Sequence, residues 1–64
     1  MTDFRLCDHG SVVILTPVTD DAKEYASDML PEDTQRWAGG YVIEPRYADD
    51  VIGLLLRDGF EVKS

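Results

Sequence analysis

Sixty-four residues, one cysteine and a net charge of −7 narrow what this chain can be. A domain this short sits near the lower limit for a self-sufficient apolar core. Cys7 alone forms no internal disulfide, and Cys7 with His9 is too small a set for a structural zinc. Thirteen Asp and Glu against six Lys and Arg speak against direct binding of nucleic acid or anionic membrane, both of which need clustered cations, and favour a basic partner.

At 44% hydrophobic and 30% charged residues, thoroughly mixed, the chain reads as folded. A free cysteine fits a reducing compartment. The segment Met1–Arg5 lacks the apolar stretch of a signal peptide. The run Val51–Leu56, broken by Gly53, falls far short of the ~20 residues of a membrane span. A cytoplasmic monomer is expected, in the host cytoplasm if the chain is phage-encoded.

Taken in chain order, Phe4–Cys7 and Ser11–Leu15 alternate around Asp8-His9-Gly10, which predicts a β-hairpin with Gly10 supplying the positive φ of the turn. Val12 to Leu15 is apolar on both faces, as a central strand would be. Thr19 is a good N-cap for a helix over Asp20–Leu30, whose Ala22, Tyr25, Ala26, Met29 and Leu30 form one apolar face. Pro31 ends it, and Glu32 to Gln35 reads as a polar loop.

Arg36-Trp37-Ala38 and Tyr41-Val42-Ile43-Glu44 flank Gly39-Gly40, giving either a second tight hairpin or one strand broken by a bulge. The bulged strand is preferred, because three residues make a poor hairpin arm. Pro45 opens a second helix with Tyr47, Ala48, Val51, Ile52, Leu54 and Leu55 inward and Gly59 at its C-terminal cap. Gly53 suggests either close packing against Trp37 or the sheet, or a tolerated defect. The Phe60-Glu61-Val62 tail returns as an edge strand covering Leu56. The expected fold is α+β, β-β-α-β-α-β, with two helices packed on one face of a small, mainly antiparallel sheet.

The residues His9-Gly10-Ser11, Leu15-Thr16-Pro17, Trp37 with Gly39-Gly40, Glu44-Pro45-Arg46-Tyr47 and Asp58-Gly59 resemble a group of short uncharacterised bacterial and phage proteins. Size, acidity and lack of catalytic motifs are similar to those of phage-type anti-CRISPR proteins. The first likeness implies no activity; the second is one of kind, without a shared motif. Neither carries a functional residue over.

Catalysis and cofactors find no footing in the residues. Cys7 and His9 share one strand face and Asp8 takes the other, an awkward relay; Cys7 is expected to be a small buried residue. The pairs Asp20-Asp21, Glu32-Asp33 and Asp49-Asp50 lack the alternating ligands of a calcium loop, and Gly39-Gly40 lacks the rest of a phosphate loop. No enzyme, no metal and no cofactor is expected. Trp37 and Tyr47 are read as core, with Arg46 pairing Glu44 or Asp50.

Charge placement carries the functional expectation. At 100° per residue, Asp20, Glu24, Asp28 and Asp21 fall within about 100° of one another, while Lys23 lies at roughly 300° beside the apolar face. Asp20–Glu24 and Glu24–Asp28 are like-charge i, i+4 pairs, each costing about 0.2–0.5 kcal/mol. Their spacing of ~6 Å matches roughly two phosphates of one DNA strand, and Glu32 and Asp33 would extend the line. These six acids are the expected partner-binding set of a nucleic-acid mimic, a phage-type inhibitor acting on a basic, nucleic-acid-binding complex. The alternative is an acidic accessory module that binds through the apolar edge of the second helix around Leu56.

Overall fold

Alternation of apolar residues drives the strands, and the two capped amphipathic stretches drive the helices. In the computed structural model, which describes all 64 residues, β1 (Phe4–Asp8) and β2 (Val13–Pro17) are followed by α1 (Asp20–Met29), β3 (Arg36–Trp37), β4 (Gly40–Ile43), α2 (Pro45–Arg57) and β5 (Val62–Lys63). The strands form one sheet in the order β3-β4-β2-β1-β5. All pairings are antiparallel except β1 with β5, which is parallel. The apolar β2 is the central strand, as its two-sided hydrophobicity predicts.

Both helices lie on one face of this sheet. The core joins Phe4, Leu15, Tyr41 and Ile43 from the strands to Ala22, Ala26 and Leu55 from the helices. Phe4, Leu15 and Leu55 are wholly buried. Phe60 closes the rim, its ring edge-on to Phe4 with centroids 5.4 Å apart.

Local signals explain the ends of the elements. Thr19 Oγ1 accepts from the Ala22 amide at 3.1 Å, the expected N-cap. The same hydroxyl donates to Asp3 Oδ1, and Asp3 Oδ2 accepts from the Glu61 amide at 2.9 Å. One carboxylate thereby ties together the start of β1, the cap of α1 and the approach to β5. Tyr25 donates its hydroxyl to Asp58, linking α1 to the C-terminal end of α2. In the first hairpin, the Gly10 amide donates to Asp8 Oδ1 at 2.8 Å and Gly10 has φ of 84°.

Several sequence expectations are corrected. Residues 36–43 form a hairpin, with Trp37 opposite Gly40 and Arg36 opposite Tyr41, in place of the preferred bulged strand. Its two-residue turn, Ala38-Gly39, has φ of 53° and 82°, as the tight primed hairpin turns require. Trp37 is 56% exposed, because its register turns it away from the helices. Tyr47 is half exposed on the flank of α2, where the Arg46 guanidinium lies over its ring at 4.9 Å and also pairs with Glu44. Cys7 is exposed, since the face it occupies bears no helix. Gly53 has open space around it, so it is the tolerated defect. The tail pairs with β1 instead of covering Leu56, which stays 57% exposed.

Candidate functional site

Of the two surfaces that stand out, the first is the acidic side of α1. Its helix begins at the Thr19 cap, so Asp20 and Asp21 occupy the first turn, where the positive end of the helix dipole favours them. Glu24 and Asp28 follow one turn apart, and all four carboxylates are exposed. Asp21, Glu24 and Asp28 share a shallow, open hollow of about 240 Å³ with Tyr25 and Phe60.

Glu32 and Asp33 lie past the helix in a turn closed by the Thr34 amide donating to the Pro31 carbonyl. Both are exposed. Glu32 shares a second hollow with Arg36, but the Arg36 guanidinium rests over the Tyr41 ring at 4.6 Å. The ion pairs of the molecule are the N-terminus with Glu61 and Arg46 with Glu44. None of the six predicted acids takes part in either. Arg36, Arg46 and Lys63 do not fold over them.

The second surface is the sheet face opposite the helices, which the sequence reading did not single out. Alternation and register put Trp37, Val42, Ile14, Cys7, Arg5 and Lys63 there. At one end, His9, Val12, Ile14, Gln35, Trp37 and Val42 line an apolar hollow of about 270 Å³. The His9 and Trp37 rings meet edge to face at 5.4 Å. At the other end lie the two cations, in a hollow of mixed lining with Thr16 and Cys7. No strand position on this face carries a carboxylate. The missed signal was the hairpin register: had Trp37 been set opposite Gly40, its outward direction would have followed.

The remaining chemistry-bearing residues are occupied locally. Asp8 accepts from Gly10, and His9 packs on Trp37. No three His, Cys, Asp or Glu side chains converge as a metal site requires. No helix is long and apolar enough to cross a membrane. The side chain with a displaced pKa is Tyr25, raised first by its hydrogen bond to Asp58, then by desolvation and by the Asp58 charge, with Arg57 opposing.

No family profile, curated protein or solved structure matches this chain.

Proposed function

We propose that this chain is a non-enzymatic binding protein that presents the acidic side of α1 to a basic, nucleic-acid-binding partner and competes there with nucleic acid. The observation that carries this reading is that six exposed carboxylates on and beyond α1 have no cationic partner. A fold this small retains two like-charge pairs on one helix where Glu–Lys pairs would stabilise it. A phage-type inhibitor of a DNA-binding defence complex is the setting such a surface suits.

The test is displacement of labelled duplex DNA from DNA-binding defence complexes. The protein is expected to displace DNA with an affinity that falls steeply from low to moderate salt. Replacing Glu24 and Asp28 together by Lys should weaken displacement on the order of a hundredfold while leaving the circular dichroism spectrum intact. Equal displacement by the reversed variant would remove the reading.

A second reading, docking through the apolar edge of α2, draws on the exposure of Tyr47, Leu54 and Leu56. These residues do not form one patch. Leu54 and Tyr47 flank one side of the helix, and Leu56 lies roughly 160° from Leu54. A partner would engage one flank only, so Leu56→Asp abolishing binding while the Glu24/Asp28 reversal does not would favour this reading.

A further inference from the structure

At the cationic end of the open sheet face the fold sets two like charges side by side. Arg5 of β1 stands opposite Thr16 of β2 and beside Lys63 of β5, so three neighbouring strands offer a hydroxyl, a guanidinium and an ammonium in one row. Adjacent strands lie about 4.8 Å apart, which roots the two cations close together. Charges of one sign at that spacing repel.

Nothing in the protein offsets this repulsion. The chain has thirteen Asp and Glu, yet neither Arg5 nor Lys63 takes part in an ion pair. The acids next along the chain are engaged elsewhere. Asp3 accepts from Thr19 and the Glu61 amide, and the Glu61 carboxylate is held by the N-terminal amine at 3.7 Å. The carboxylate that ends the chain at Ser64 pairs with neither cation.

Around Arg5 and Lys63 lies the largest of the surface hollows, about 400 Å³. Thr2, Cys7, Thr16 and Ser64 line it with them, and no acidic side chain does. We propose that this hollow binds a phosphoryl group, as free phosphate or carried on a small phosphomonoester.

Charge and donor count select that ligand. Two fixed positive charges match a phosphate dianion. The guanidinium can hold two of its oxygens at once, and the Lys63 ammonium with the Thr2 and Thr16 hydroxyls supplies donors for the third. A carboxylate brings one charge and two oxygens, so it leaves part of this donor set unused. The net charge of −7 does not cancel the attraction. The α1 acids lie beyond the sheet, where packed layers stand about 10 Å apart, and the screening length at physiological salt is about 8 Å. The site is thus separate from the acidic side of α1, and what that side binds does not bear on it.

Both cations are exposed to water, which sets the strength. Contacts of this kind are individually weak, so the dissociation constant is on the order of 1–10 mM.

The experiment is a titration of the whole chain with inorganic phosphate, followed by amide chemical shifts, with sodium chloride holding the ionic strength fixed. The amides of Arg5, Thr16 and Lys63 should move along a saturable curve while those of α1 stay still. Glycerol phosphate should bind as phosphate does, whereas acetate should bind about tenfold more weakly. Arg5→Gln and Lys63→Gln should each weaken binding about two- to fivefold, and the double variant should lose saturation. Cys7 is exposed in the same hollow and reports its occupancy: phosphate should slow its alkylation by neutral iodoacetamide, and should cease to do so in the double variant. Shifts that stay linear to roughly 50 mM phosphate, that acetate reproduces equally, or that survive in the double variant would overturn the proposal.

Discussion

Ala38 and Gly40, two residues apart in the second hairpin, make opposite demands. Ala38 holds φ of 53°, a left-handed conformation that a β-carbon disfavours and that Asn or Gly adopts readily. Gly40 is the reverse case, where space is the constraint. A Cβ there would stand 2.6 Å from both Ile14 Cγ2 and Thr16 Oγ1, and 3.1 Å from the Leu15 carbonyl oxygen. Urea denaturation should therefore show Ala38→Asn stabilising the protein by about 0.5–1 kcal/mol. Gly40→Ala should destabilise it by about 1–3 kcal/mol through overpacking between the two middle strands. A neutral Gly40→Ala would mean that Ile14 and Thr16 move aside more easily than β-branched side chains in a packed strand should.

At the level of elements, two side-chain links outside the sheet hold the layers together. Asp3 joins the β1 entry, the α1 cap and the β5 approach through Thr19 and the Glu61 amide. Asp3→Ala is expected to cost about 1–3 kcal/mol in chemical denaturation, because two charge-assisted hydrogen bonds are lost together. The Tyr25–Asp58 link is pH-sensitive on the alkaline side. The Tyr25 pKa is raised above its ordinary value of 10.0 in the folded protein, so the unfolded chain loses this proton first as pH rises. The resulting stabilisation is fully present below that ordinary value and disappears as pH climbs through the folded one. Tyr25→Phe should flatten this part of the stability–pH curve in alkaline denaturation. Most of these elements were legible in the sequence: the helices from periodicity, Thr19 and Pro45, and the first hairpin from alternation around Gly10. Misplacing the second hairpin took Trp37 with it, since Ala is not a residue that announces a left-handed turn. Tyr47 was read as core from helical phase alone, which cannot say how wide a face the sheet covers. The Asp3 link joins positions remote in sequence and leaves no local trace. The six acids of the proposed site were legible one by one, and their freedom from ion pairs needed the positions of Arg36, Arg46 and Lys63.

For the molecule as a whole, charge is sorted by face. The strand positions of the open sheet face hold Arg5 and Lys63 and no acid, while α1 and the turn after it hold six exposed carboxylates. Binding of a basic partner at α1 should thus weaken as salt is added. The pairing of β1 with β5 bears on a different property, the order in which the chain folds. The Glu61 amide reaches Asp3 across 58 residues, nearly the full length of the polypeptide. Bringing such distant segments together demands the largest loop closure in the molecule, and little contact is gained until it is complete. The two hairpins and both helices can assemble before it, so the terminal strand is the natural last piece to zip and the first to open. Amides of residues 62–63 should accordingly exchange with solvent well before those of the central strand, making the parallel edge the threshold at which unfolding begins.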